Sequence, residues 1–178
     1  LKNVLFGRPT LFNFGLDFYN SDYSDKVLIG TYYKRTAEQV TYDPWLIGQM
    51  SFENGLDLEV GIRHHFYELD VYNKTTSKQK LHNKSSDTNA WSLGGTKKID
   101  DKNLLNFKLS KSFRAPKVDE VLHYGGAIST VEHQNSKMFE LGYKFNFDNI
   151  IIKTNAFKSE INNLIYYNGT VNDNYNPT

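Results

Sequence analysis

Successive side chains on a β-strand point to opposite faces, so a chain in which oily and polar residues alternate segment after segment is constrained to form sheet. Here Phe12, Phe14, Leu16 and Phe18 alternate with Asn13, Gly15 and Asp17. Leu56, Leu58, Val60, Ile62 and Phe66 alternate with Asp57, Glu59, Gly61, Arg63 and His65. Leu105, Phe107 and Leu109 oppose Asn106, Lys108 and Ser110, and Phe139, Leu141, Tyr143 and Phe145 oppose Glu140, Gly142, Lys144 and Asn146. Weaker alternation runs through residues 45–52, 91–98 and 150–161, the last blurred after Ala156. The pattern predicts about seven strands.

The connections take turns between two lengths. Glu53-Asn54-Gly55, Asp100-Asp101-Lys102 and Phe147-Asp148-Asn149 have the residues of tight turns. Residues 20–43, 71–87 and 115–136 are long, polar stretches rich in Asn, Ser, Thr and Lys, and are predicted to be loops. An up-and-down antiparallel meander with short turns on one rim and long loops on the other is the layout of an outer-membrane β-barrel, short turns periplasmic and long loops extracellular. The expected fold class is therefore all-β, a partial wall of a transmembrane barrel.

Composition removes the competitors. Mean hydropathy is −0.58, and no window approaches the ~18 apolar residues of a spanning helix. The chain has no cysteine, which excludes disulfides and Cys-ligated metal centres, and a net charge of +1, which offers no basic stripe for nucleic acid. At 178 residues the length suits a small closed barrel, but seven is an odd number that cannot close antiparallel. Leu1 at the start and Asn176-Pro177-Thr178 at the end read as cuts, so residues 1–178 are expected to be one segment of a larger barrel.

A strand tilted about 40° rises roughly 2.5 Å per residue along the barrel axis, so an apolar band of ~25 Å takes about ten residues. Two lysines continue the oily faces, Lys111 beyond Leu109 and Lys137 before Phe139. At mid-bilayer each would cost ~2 to 4 kcal/mol, so both should mark the extracellular membrane boundary, their stems snorkelling toward headgroups. Trp45, Trp91, Tyr166 and Tyr167, near strand ends, are candidates for an interfacial girdle.

Ser112-Phe113-Arg114-Ala115-Pro116, then Asp119-Glu120-Val121, then Phe139-Glu140-Leu141-Gly142 resembles the TonB-dependent outer-membrane receptors, in which a Phe-Arg-Ala-Pro box ends one strand and a Glu-Leu-Gly strand follows an extracellular loop. Leu58-Glu59-Val60-Gly61-Ile62-Arg63 is similar to the family's Gly-Leu-Arg strand, and residues 157–165 to its rising strand with an Ile-x-x-Leu-Ile end. Tyr175-Asn176-Pro177 falls about where the next strand should begin. The resemblance implies a 22-stranded barrel in the outer membrane of a Gram-negative bacterium, plugged by an N-terminal domain absent from this chain. It implies uptake of haem, haem drawn from a haemoprotein, or a siderophore, energised by the TonB complex through parts not present here. It implies no enzymatic activity and no intrinsic cofactor, haem entering only as cargo.

Pro116 cannot donate a ladder hydrogen bond and pushes Ala115 toward extended geometry, so the box has a structural reason to end a strand. Arg114 shares a face with Ser110 and Ser112, where it is expected to pair with carboxylates inside the barrel, direct ligand contact being its second role. His123 and His133 lie between the two matched motifs; in haem-transporting members of the family a histidine here can ligate haem iron. Neutral imidazole suits iron, and His123 with Tyr124 beside it is the preferred candidate, His133 the next. Against this, residues 132–136 replace the Asn-Pro-Asn-Leu box of haem receptors. His64 and His65 are adjacent and face opposite ways, so they cannot share a metal; His65 is expected to face the lumen and His64 the interface. Asp22 and Asp25 lack the run of oxygen ligands of a calcium loop. No metal site is expected.

Two further functions are carried by other classes. An outer-membrane enzyme would need a nucleophile motif or a carboxylate pair, and neither surrounds any Ser or Asp of the predicted loops. A secreted β-sandwich adhesin would fold without lipid, whereas this chain presents oily faces and unpaired edges.

Overall fold

The computed structural model describes residues 2–5, 8–27, 33–74, 79–122, 129–169 and 172–176. Eight strands form one antiparallel sheet in sequence order: β1 (Lys2–Leu5), β2 (Arg8–Val27), β3 (Tyr33–Ser51), β4 (Leu56–Asn73), β5 (Gln79–Lys98), β6 (Asn103–Arg114), β7 (Gln134–Phe147) and β8 (Ile150–Asn162). A short helix, α1 (Val118–Val121), lies between β6 and β7, and a separate hairpin, β9 (Leu164–Tyr167) with β10 (Asn172–Tyr175), follows β8. The all-β meander of the sequence reading is present, and its seven strands are β2 to β8.

The tight turns are where the sequence puts them. In the β3–β4 turn Gly55 adopts φ 76°, a left-handed conformation that glycine takes without steric cost, and Phe52 N donates to Leu56 O at 2.8 Å. Asp148, at φ 44°, turns β7 into β8.

Two of the three expected long loops are mostly strand. β2 and β3 stay paired out to Val27 opposite Tyr33, and β4 and β5 out to Asn73 opposite Gln79. Alternation vanishes there because neither face meets lipid above the membrane, so polarity no longer switches from residue to residue while the backbone ladder continues. The expected strand start at Tyr175 is corrected as well: Tyr175 ends β10, which pairs back onto β9, while Pro177 lies outside the described residues. Asn163, at φ 55°, makes the break between β8 and β9.

The register shows how the oily face slants across the wall. Leu46, Ile62, Trp91, Lys111, Lys137 and Glu160 occupy one row, each opposite the next across a ladder. The top of the oily face is Phe18 on β2 and Phe66 on β4, Trp91 on β5, Leu109 on β6, Phe139 on β7 and Ala156 on β8. Between β2 and β8 the boundary thus descends about eight residues over six strands, which at 3.3 Å rise and 4.8 Å spacing corresponds to a strand tilt of about 42°, within the barrel range. Lys111 and Lys137 therefore stand above the band although their row-mates Leu46 and Ile62 lie within it.

Trp45 departs from the girdle expectation. It is in register with Gly15 and Arg63 on the inward face, and its ring covers Gly15 so closely that a Cβ there would lie 2.6 Å from it. Trp91 faces outward, beside Lys111.

Candidate functional site

The described surface that carries chemistry is the inward face of β2 to β5 at and above the membrane boundary. Alternation delivers Asp17, Asp43, Arg63 and His65 to that face, and register brings them together. Asp17 and Asp43 are direct partners across the β2–β3 ladder, a like-charge pair that is unfavourable without a cation. Arg63 supplies it: its Nη2 donates to Asp17 Oδ2, and its Nε lies 3.7 Å from Asp43 Oδ2. The other Asp43 oxygen is 2.6 Å from His65 Nδ1. One guanidinium and one imidazole thus bind two carboxylates from three strands, and His65, 5% exposed, is held at a fixed orientation.

Above His65, β4 continues inward with Tyr67, Leu69 and Val71, all buried. They are covered by the segment between β6 and β7, whose Val118, Val121, Leu122 and Val131 form one apolar cluster with them and with Ala37. The connection expected to be a solvated loop over the barrel mouth instead folds onto the inner wall. Its local chemistry explains the path. Pro116 ends pairing, Glu120 Oε2 accepts from Lys117 N at 2.8 Å to cap α1, and Glu120 Oε1 accepts from Arg114 Nη2. Asn172 Nδ2 donates to Glu120 O at 3.0 Å, and Glu132 N donates to Asn174 Oδ1 at 2.6 Å, so the β9–β10 hairpin clamps the segment from the other side.

His133 returns the segment to the sheet. It is 6% exposed; its ring centroid is 5.5 Å from that of His65, 5.7 Å from Tyr67 and 6.1 Å from Phe113. His133 Nδ1 is 3.4 Å from Ser86 Oγ, while His133 Nε2, His65 Nε2 and Tyr67 Oη are buried without a hydrogen-bond partner. Burial, then the neighbouring His65 and Lys84, push the His133 imidazole down to about 4, so it is neutral at pH 7. Lys84, whose ammonium donates to Val131 O, is itself lowered by burial. A polar cleft of about 360 Å³ opens beside His133, lined in part by Lys84, Ser86, Glu132, Asn135 and Asn163.

Of the other residues singled out in sequence, His123 and Tyr124 lie outside the described residues. Arg114 reaches Glu120. Phe113 has the outward parity of Leu109 and Lys111, yet its ring lies 4.7 Å from His65; the β5–β6 ladder ends at Trp91 and Lys111, which frees Phe113 to turn inward. Glu140 stands opposite Lys108, and Leu141 belongs to the oily band. Gly142 has its own packing reason, since a Cβ there would run into the side chains of Asn106 and Asn155, which meet over it from both neighbouring strands. His64 faces outward against Phe66, 3.4 Å from Asp87. No group of three or more His, Cys, Asp or Glu able to hold a metal occurs among the described residues. The Asp17–Arg63–Asp43–His65 chain was not anticipated as a unit, because only the register reveals it.

The sequence matches the family described as TonB dependent receptor-like, beta-barrel, over residues 2–178. The chain belongs to that family. No protein of curated function matches it. Among solved structures, the TonB-dependent barrel wall is similar to the alcaligin outer-membrane receptor FauA of Bordetella pertussis, with a TM-score of 0.53 and 14% identity over 94% of this chain. At that identity the likeness concerns fold. The chain spans 34% of the length of FauA. The Phe-Arg-Ala-Pro and Glu-Leu-Gly segments of this TonB-dependent wall are thus a strand-ending clasp on Glu120 and a glycine seat for two asparagines.

Proposed function

We propose that the receptor to which this wall belongs takes up an iron complex across the outer membrane, driven by the TonB complex through parts outside this chain. The observation that carries the reading is family membership over residues 2–178, combined with a polar inner wall on which an extracellular segment is docked. A 22-stranded barrel around an N-terminal plug is the architecture this proposal entails.

Two cargoes are separable. In the haem reading, haem or a haemoprotein is captured by an extracellular histidine. His133 is enclosed in the docked segment, so axial ligation falls first to His123, with Tyr124 beside it. In the siderophore reading no histidine is required, and a ferric chelate meets polar groups such as those lining the cleft beside His133. The enclosure of His133 favours this second reading. Soret titration of the full-length receptor decides between them. Haem ligation predicts a shifted Soret band lost in His123→Ala or in the His123→Ala, His133→Ala double variant. A band unchanged by both substitutions overturns it. Quenching of receptor fluorescence by ferric chelates, with no response to haem, establishes the siderophore reading.

A further inference from the structure

Three ring-bearing side chains meet where the docked segment touches β4. His65 and Tyr67 share the inward face of that strand, and His133 comes to them from the segment. All three are at least nine-tenths buried, and each keeps one polar atom, His65 Nε2, Tyr67 Oη and His133 Nε2, without a hydrogen-bond partner. Burying three such atoms is unfavourable, and packing against Phe113 alone would be served by apolar rings. Both imidazoles are anchored through their other nitrogen: His65 Nδ1 lies 2.6 Å from Asp43 Oδ1, and His133 Nδ1 lies 3.4 Å from Ser86 Oγ. An imidazole held at Nδ1 has its Nε2 lone pair free for a metal, and a carboxylate on Nδ1 makes that nitrogen a better ligand. The spacing fits one ion. Two imidazoles that bind a tetrahedral ion through Nε2 at about 2.0 Å have ring centroids about 5 Å apart, and a phenol on the same ion places its ring about 6 Å from each. His65 and His133 are 5.5 Å apart, and Tyr67 lies 5.7 Å from His133 and 6.3 Å from His65.

We propose that His65, Tyr67 and His133 hold a divalent transition-metal ion of the zinc kind, which clips the segment between β6 and β7 to the barrel wall. Imidazole nitrogen selects such an ion over calcium or magnesium, which take oxygen ligands. Tyr67 binds as the phenolate, its proton released to solvent; the charge of the ion opposes the burial that otherwise holds the phenol protonated. The polar cleft beside His133, with Lys84 and Ser86 in its lining, gives the ion a way in. The site is not a cluster of His, Cys, Asp and Glu, because its third member is a phenol. It also runs against the sequence expectation of no metal, since residues 65, 67 and 133 come together only when the segment docks. The clip is a fixture of the segment and is distinct from any transported iron complex.

The test uses the untagged full-length receptor, stripped with chelator and titrated with Co²⁺ and then Zn²⁺. Wild type should show the visible absorption of tetrahedral Co²⁺, abolished when Zn²⁺ displaces it, and Zn²⁺ should slow hydrogen exchange at residues 129–135 by about tenfold. His65→Gln and His133→Gln should each weaken Zn²⁺ binding by about a hundredfold, and Tyr67→Phe by about tenfold. His64→Gln, on the outward face, should change nothing. Exchange across β2 to β5 of the metal-free variants reports whether they fold, and Tyr67→Phe, which keeps its ring, carries the test where an imidazole variant does not. Absence of the Co²⁺ absorption in wild type overturns the proposal. So does absorption that survives the His65→Gln, His133→Gln double variant, or exchange at 129–135 that is indifferent to Zn²⁺.

Discussion

His65 and His133 face each other nearly at right angles, ring centroids 5.5 Å apart, one on the barrel wall and the other on the segment docked against it. Each has its Nε2 buried without a hydrogen-bond partner, so a charge on His133 is penalised at this contact.

The docked segment should therefore respond to acid. The His133 imidazole, ordinarily near 6.5, lies at about 4 when docked, mainly through burial. The undocked form binds the extra proton between those values, so docking is fully favoured above about 6.5 and weakens progressively as the pH falls toward 4. Hydrogen exchange at residues 129–135 of the full receptor should accelerate between pH 7.5 and about 5, after correction for intrinsic rates. His133→Gln should remove most of that pH dependence, and exchange that stays flat in the wild type would count against the docked, neutral histidine.

The slanted membrane band makes a positional prediction. Ile62 and Lys111 share a register row, but Ile62 lies in the middle of the oily face of β4 while Lys111 stands above that of β6. Ile62→Lys should cost ~2 to 4 kcal/mol, and Lys111→Ile within about 1 kcal/mol of nothing. Reversible unfolding of the full receptor in lipid measures both. Equal costs would mean a band running parallel to the rows, and hence upright strands.

Glu120 is the node of the clasp, binding Arg114, the α1 N-terminus and, through its carbonyl, Asn172. Glu120→Gln keeps the shape but loses the charge on both side-chain bonds, at a cost of about 1 to 2 kcal/mol, moderated because Arg114 is partly exposed. Its effect should be local: faster exchange at residues 117–122 with the unfolding midpoint of the barrel unchanged. Arg114→Ala should reproduce it. If instead cargo affinity fell while exchange at 117–122 stayed at the wild-type rate, Arg114 would be a ligand contact rather than a clasp.

Much of this was legible in the chain. Alternation around Phe14, Ile62, Phe107 and Leu141 determined the strands and their lipid faces, because period two is a local property that a sequence states directly. Gly55 and Asp148 marked the turns for the same local reason. The Phe-Arg-Ala-Pro and Glu-Leu-Gly segments pointed to the family, and Lys111 and Lys137 marked where the oily faces of two strands end. What the sequence did not state depends on partners far along the chain. The extramembrane halves of β2 to β5 carry no alternation, since no lipid imposes it, and only their backbone pairing reveals them. The inward turn of Trp45 follows from its parity with Gly15, which exists only once β2 and β3 are in register. The meeting of Asp17, Asp43, Arg63 and His65, and the docking of His133 against that group, were decided by tertiary structure alone. Register and the packing of Val118, Val121, Leu122 and Val131 on β4 are long-range choices, made by the buried apolar surface and the ladder as a whole.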